Sequence, residues 1–318
     1  MLAFILRRIV QSFIIIIIVS IAVFLFMRLL PGDPIKLFLG PSQLQNITTE
    51  DLNALRAKYG LDRPYPEQYI RWMSNVVRGD FGMSLSQQGS VGALFVKRFP
   101  ITLYLGVLSL IISSIFGVTA GLICALRRGG AVDALVTSFA NFGVSVPVFW
   151  LGILMIYFFG YYLKWLPIQG YTSPFTNFTL STRQIIMPVI CISTLALASN
   201  ARLTRTTVLE VLRQDYVRTA WSKGLRERVI VVKHVLKNSL IPVITMVGIQ
   251  ASMIIGGEVI IEKVFNIPGV GRLMVDAVLA NDYSIVQGGC LIIATIVVTV
   301  NLLVDISYGW LDPRIRFG

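Results

Sequence analysis

Side chains able to make or break bonds are few in this 318-residue chain, and none stands at a spacing that supports catalysis. The single histidine, His234, lacks the neighbours that a metal cluster would need and reads as a polar residue on a helix. Cys124, Cys191 and Cys290 all fall inside apolar runs, with no Cys-x-x-Cys spacing and no disulfide framework. No phosphate loop is present, since the chain holds no Gly-Lys dipeptide, and neither a Gly-x-Ser-x-Gly elbow nor a His-Glu-x-x-His helix occurs. What stands out is Asp215-Tyr216-Val217-Arg218-Thr219-Ala220-Trp221-Ser222-Lys223-Gly224-Leu225, a basic segment between two long apolar runs. Its chemistry is that of docking. Asp215 can cap a short helix, Val217, Ala220 and Trp221 share a helical face, and Gly224 can stop it. An ordinary basic loop between helices would have the same composition.

The elements that must position this segment are apolar. Apolar residues make up 55% of the chain and charged residues 14%, where a soluble domain carries roughly 25% charged. Six charge-free apolar runs follow one another: Ile9–Met27, Phe99–Leu126, Ala134–Leu163, Gln184–Ala201, Asn238–Gly257 and Tyr283–Val304. A membrane span needs about 20 mostly apolar residues, so each run can cross a bilayer. Trp165–Thr182 is also uncharged, but its prolines and its Ser, Thr and Asn mark a loop. Arg7-Arg8 precede the first run as they would a signal peptide, yet no small-residue cleavage site follows, so a retained span is expected.

Lys and Arg set the orientation. Arg7 and Arg8, Arg127 and Arg128, the loop 202–237 and the tail with Arg314 and Arg316 share one side, against Lys164, Arg183, Lys263 and Arg272 on the other. Both termini are therefore expected in the cytoplasm. The net charge of +12 is distributed as topology requires, so nucleic acid is not an expected partner, whereas membrane lipids are.

The domain organisation expected is residues 1–30 as the first membrane helix, 31–98 as a small extracytoplasmic segment, and 99–308 as a membrane core. Its helices lie at about 99–126, 134–163, 184–203, 238–261 and 283–308, followed by a tail at 309–318. The fold class is all-α, a polytopic membrane protein with six transmembrane helices. Within 31–98, Thr48-Thr49-Glu50-Asp51 opens one capped helix, and a second starts at Pro66 and ends by Gly79. Ser145, Pro147, Asn200, Gly256 and Gly257 lie in or at the ends of spans, where small and weakly polar residues either pack helices closely or line a path or gate. No acidic or basic residue sits mid-span, which weighs against a self-sufficient, ion-driven carrier or channel, the rival class of function.

The segment Asp215–Leu225 resembles the cytoplasmic coupling motif of binding-protein-dependent ABC importer permeases. Against that general motif, Ala220, Gly224 and Leu236 match, while Arg218, Thr219, His234 and Lys237 stand where Glu, Ala, Ile and Pro are usual. The departures are similar to the peptide/nickel branch, which reads Asp-Tyr-x-Arg-Thr-Ala-x-x-Lys-Gly-Leu. Further segments resemble that branch along nearly the whole chain: Pro31-Gly32-Asp33-Pro34, Tyr59-Gly60-Leu61-Asp62-Arg63-Pro64, Gly79-Asp80-Phe81-Gly82 and Trp165-Leu166-Pro167. Asn200-Ala201-Arg202-Leu203-Thr204-Arg205, Pro268-Gly269-Val270-Gly271-Arg272, Asn281-Asp282-Tyr283, Asn301 to Asp305 and Asp312 to Arg316 complete the series.

The resemblance implies a type I ABC importer transmembrane fold in a multi-pass subunit of the bacterial cytoplasmic (inner) membrane. It implies as partners a homologous second permease, two ABC ATPase subunits and an extracytoplasmic substrate-binding protein. The chain would be a non-catalytic subunit with no cofactor of its own, ATP and magnesium being held by the ATPases. Asp215, Tyr216, Arg218, Thr219, Ala220, Lys223, Gly224 and Leu225 would form the ATPase-coupling helix, with Arg218 and Lys223 as polar anchors and Ala220 and Gly224 allowing close backbone approach. Pro268, Gly269, Gly271 and Arg272 would dock the binding protein or form a structural turn. The implied cargo is a di- or oligopeptide or glutathione, with nickel or a metal–chelator complex as the alternative.

Overall fold

The computed structural model describes residues 2–29, 48–58, 62–84, 86–255 and 258–311. Every regular element among them is helical, apart from one isolated bridge between Met83 and Ser90. In chain order the helices are α1 (Leu2–Leu29), α2 (Thr49–Lys58), α3 (Tyr65–Val77), α4 (Val91–Leu126), α5 (Ala131–Ser145) and α6 (Val148–Tyr162). After them come α7 (Phe178–Leu212), α8 (Asp215–Ser222), α9 (Glu227–Ile254), α10 (Val259–Val264), α11 (Val270–Leu279) and α12 (Tyr283–Leu311).

Among the described residues, α1, α4, α7, α9 and α12 are each long and apolar enough to cross a membrane, and α5 with α6 adds a sixth span if the pair is counted as one. Here the structure departs from the continuous helix expected over 134–163. The chain bends by 104° between α5 and α6. The cause is local: Pro147 offers no backbone N–H to continue the ladder, and Val146 before it is extended, as a residue preceding proline tends to be. The α7 helix also overruns its expected bounds. It starts at Phe178, where Asn177 Oδ1 accepts from the Leu180 amide at 3.0 Å, and runs on to Leu212.

Packing divides the chain into two units. The first comprises Met1–Ile101 and Gly269–Gly318. In it α1 runs beside α12, and Arg8 Nη1 pairs with Asp305 Oδ2 at 3.0 Å, so the start of α1 and the end of α12 meet. The other end of α1 is held by α3. Phe24 stacks on Trp72 and meets Tyr69 edge-on, Ser20 Oγ and Tyr69 Oη lie 2.8 Å apart, and Arg28 Nε donates to Gln68 Oε1 at 2.8 Å. The capped start expected at residues 48–51 is a reciprocal box: the Asp51 amide donates to Thr48 Oγ1 at 3.2 Å, and Thr48 Oγ1 donates back to Asp51 Oδ2 at 2.7 Å.

One motif residue of this unit, Asp282, is the centre of a buried hydrogen-bond network. Asp282 is fully buried and accepts from Ser84 Oγ at 2.7 Å, Ser86 Oγ at 2.7 Å, the Ser86 amide at 2.9 Å and the Ile285 amide at 3.2 Å. It thus caps α12 and pins the loop before α4 at once. Burial alone would raise the Asp282 pKa, but these donors outweigh it and hold the carboxyl below its usual range. Beside it, Val91, Phe95, Val270, Leu273, Ala277 and Ile285 form the apolar core of the unit.

The second unit, Thr102–Pro268, holds the remaining membrane helices. Within it, Gly117-Val118-Thr119-Ala120-Gly121 of α4 lies close against α7. A Cβ on Gly117 would lie 2.9 Å from the Leu197 carbonyl oxygen, and one on Gly121 would lie 2.4 Å from that of Ala201. Only glycine lets the two backbones come this near, the usual device for helix association in lipid.

Candidate functional site

The basic segment after α7 folds as expected into a short helix, with Gln214 rather than Asp215 at the N-cap and Asp215 in the first turn. Its end is a Schellman turn. The Gly224 amide donates to the Trp221 carbonyl at 2.9 Å, and the Leu225 amide donates to that of Ala220 at 3.4 Å. Closing the turn requires φ of +70° at Gly224, a region that glycine enters without strain.

This helix has two unlike faces. Val217 and Ala220 are buried on a cluster formed with Ala125 of α4, Val208 of α7, and Ile230 and Val235 at the start of α9. Burying valine fully stabilises by about 1.5–3 kcal/mol, so α8 is seated on three other helices rather than hanging from a loop. Asp215, Tyr216, Arg218, Thr219, Trp221, Ser222, Lys223 and Leu225 are exposed. Two expectations change. Trp221 does not share the inward face: although it lies four residues beyond Val217, it stands 47% exposed, and only Val217 and Ala220 of the helix are buried. Ala220, expected to let a partner approach, instead lets α8 approach its own supporting helices.

Neighbouring groups fix the position of the helix further. Asn238 Nδ2 donates to Tyr216 Oη at 3.0 Å and to the His234 carbonyl at 2.9 Å. The backbone from Ile230 to Leu236, which carries His234, is a π-helical stretch that opens into the long α9 helix. Bulges of this kind inside helices concentrate at functional sites.

The α7 helix, on which α8 rests, is tied to α5 by a forked ion pair. Arg205 Nε and Nη2 donate to the two Asp133 carboxylate oxygens at 2.7 and 2.9 Å, and the Gly129 amide donates to Asp133 Oδ2 at 3.0 Å. Sequence reading singled out Arg205 only within a motif and passed over Asp133. The signal was available: Asp133 is the lone acid between Asp80 and Glu210.

The three described residues assigned to a path or gate share no hydrogen bond with one another. Asn200 is fully buried and exchanges hydrogen bonds with Gln250 at 3.2 and 3.1 Å, joining α7 to α9. Ser145 and Pro147 are exposed at the α5–α6 bend, where the Ser145 hydroxyl donates back to the Asn141 carbonyl at 2.9 Å. Gly256 and Gly257 lie outside the described residues, as do the motifs at 31–34, 59–61 and 312–316. A cavity of about 240 Å³ opens among α4, α7 and α9, reached by Gln250 but by none of the described path residues, Ser145, Pro147 and Asn200. Of the residues assigned to docking, Gly269 and Gly271 are buried at the start of α11, while Pro268 and Arg272 are half-buried, Arg272 lying 3.5 Å from Asp276.

The comparisons agree with this architecture. Residues 117–317 match the family model "Binding-protein-dependent transport system inner membrane component", and residues 1–106 match the model of the N-terminal part of such components. The chain is 41% identical to the "Probable peptide ABC transporter permease protein y4tP" of Sinorhizobium fredii, over 99% of each chain. It is 38% identical to the di/tripeptide transport system permease protein DppB of Pseudomonas aeruginosa, over 94% of each, and 38% identical to the glutathione transport system permease protein GsiC of Escherichia coli O1:K1, over the full length of both. Among solved structures it resembles the methionine ABC transporter MetNI, with a TM-score of 0.56 at 18% identity, covering 69% of this chain and 96% of that one. The fold is thus that of a type I ABC importer permease, with the bent α5–α6 pair and the seated α8 as its local features. The chain belongs to the binding-protein-dependent transport system inner membrane components, the multi-pass permease subunits of ABC importers.

Proposed function

We propose that this permease imports short peptides, glutathione among them, and that its exposed α8 face is where a partner ATPase pushes. The observation that carries the reading is the division of α8 between a buried face, Val217 and Ala220, and an exposed cationic one with Arg218 and Lys223. A load applied to the second face passes through the first into α4, α7 and α9. Two ATPases, each holding ATP and magnesium, would act on this chain and on a homologous second permease. An extracytoplasmic binding protein would deliver cargo to the opposite side, with Pro268 and Arg272 the more accessible of the residues assigned to its docking. The chain itself binds no cofactor in this scheme.

Peptide cargo is favoured because the relatives named above carry peptide, di/tripeptide and glutathione in their names. No observation favours import of nickel or a metal chelate, or a self-sufficient carrier. The Arg8–Asp305 pair brings the start of α1 and the end of α12 to one side, and the basic residues near those ends support a cytoplasmic location for both.

The test is co-reconstitution with the partner subunits in liposomes. Uptake of a labelled dipeptide and of glutathione should require ATP and the binding protein, and Ni²⁺ should not accumulate. Peptide accumulation by this chain alone, without ATPases, would overturn the reading.

A further inference from the structure

The cavity among α4, α7 and α9 has a divided lining. Most of it is aliphatic or thioether, including Ile192, Leu195 and Met246, and its polar groups are Ser109, Ser113, Ser199, Gln250 and Glu258. Three of the neutral groups are engaged internally. Ser109 Oγ donates to the Leu105 carbonyl at 2.8 Å, Ser113 Oγ donates to that of Leu110 at 3.0 Å, and Gln250 is paired with Asn200. Glu258 differs in kind. It brings the only formal charge to the lining, and among the described residues its carboxylate meets no hydrogen-bond donor and no cation. One turn further on, Glu262 is buried and accepts from Thr102 Oγ1 at 2.6 Å.

A lone carboxylate over a mainly apolar wall attracts a cation that carries its own apolar body. A bare divalent metal fits poorly, since hard cations gather six or more oxygens and softer ones need imidazole or thiolate. The volume of about 240 Å³ lies just below the range of ordinary small-molecule sites, roughly 300–1,000 Å³. It suits one end of a short peptide, not a long chain.

We propose that this cavity is a station on the import path that receives the protonated amino terminus of a peptide, with Glu258 as its counter-ion. The inference rests on the peptide reading given above. The apolar wall takes the first side chain, and the Ser199 hydroxyl offers a hydrogen bond to the first peptide group. The Glu258 carboxylate repels the carboxyl terminus, so the amino end enters this station and the carboxyl end does not.

The test uses the complete transporter in proteoliposomes, with labelled Ala-Phe as the probe and Glu258→Gln and Glu258→Asp as variants. Glu258→Gln should lower the maximal rate of Ala-Phe uptake about tenfold, leaving the half-saturating concentration, ATP hydrolysis and membrane content near wild type. Glu258→Asp should recover much of the rate, which a residue needed only for folding would not show. Wild-type uptake by Glu258→Gln overturns the proposal, and so does equal loss in both variants accompanied by a fall in thermal stability. If the wild-type complex hydrolyses ATP yet takes up no Ala-Phe, the peptide reading itself fails and this inference fails with it.

Discussion

Gly224 separates the stability of α8 from its use as a surface. Its φ is +70°, and a Cβ placed there meets nothing within 4 Å. Alanine therefore brings no clash inside the chain, only the conformational cost of the left-handed region, about 1–2 kcal/mol. That cost falls on the last turn of an eight-residue helix whose inner face is held by Val217 and Ala220, so it frays the end without unseating the helix. Asparagine tolerates the same region and costs less. Tryptophan has a backbone cost like that of alanine but fills the open space in which the proposed ATPase sits. Gly224→Asn should thus retain most ATP-dependent dipeptide uptake and Gly224→Ala somewhat less. Gly224→Trp should lose at least about tenfold, equivalent to ~1.4 kcal/mol. The assay is uptake in proteoliposomes, paired with ATP hydrolysis and with the amount of permease recovered from the membrane. Gly224→Trp with normal uptake would refute an occupied space. Gly224→Asn as inactive as Gly224→Trp would show that backbone conformation, and not access, is what matters.

Two further substitutions test the units separately. Gly121→Leu must force α4 away from α7, because even a methyl group would stand 2.4 Å from the Ala201 carbonyl oxygen; a loss above the usual 1–3 kcal/mol of overpacking is expected as a lower melting temperature in detergent. Asp282→Asn keeps the shape but replaces one carboxylate oxygen by an NH2 that cannot accept, so either the Ser84 and Ser86 bonds to Oδ2 or the Ile285 amide bond to Oδ1 is lost, costing about 1–3 kcal/mol and loosening the loop before α4 or the start of α12, as hydrogen exchange there would report. The pH dependence has a definite sign. Because the Asp282 carboxyl is held below its usual range, its contribution is complete above the unfolded value near 4 and is lost as pH falls through the folded value. Protection of the loop that instead rose on acidification would contradict this account.

Much of the architecture was legible because lipid imposes simple rules. Runs of apolar residues marked the long helices, and Gly224 marked the end of α8, since helix length and termination are local properties. The bend at Pro147 was legible in principle but was masked by the uninterrupted apolarity of 134–163, which measures composition and not direction. The site was harder to read for a different reason. Which side of an eight-residue helix is buried depends on helices from distant parts of the sequence, so Ala220 could be named from its motif but not assigned its contact. Asp133, Gln250 and Glu258 escaped because each acts through a partner or a cavity at least fifty residues away or on other helices. Asp282 shows the converse: the motif Asn281-Asp282-Tyr283 signalled importance, and only the fold shows that it caps one helix while pinning a loop.

The packing of the second unit also suits so small a helix to the lever role proposed for it. Two buried side chains would be a weak anchor if they rested on a loop, yet Val217 and Ala220 rest on α4, α7 and the start of α9 together. Those helices are locked to one another where compliance would waste motion. Gly117 and Gly121 bring α4 and α7 into backbone contact, Asn200 and Gln250 tie α7 to α9, and the Arg205 fork ties α7 to the start of α5. A displacement of α8 therefore cannot be absorbed by its nearest neighbour alone and moves the supporting helices together. The π-helical stretch Ile230–Leu236 and the 104° bend between α5 and α6 interrupt the otherwise regular ladders of these helices. Motion passed on by rigid helices is taken up where the backbone hydrogen bonding is already irregular, so these two places are the expected hinges of the unit.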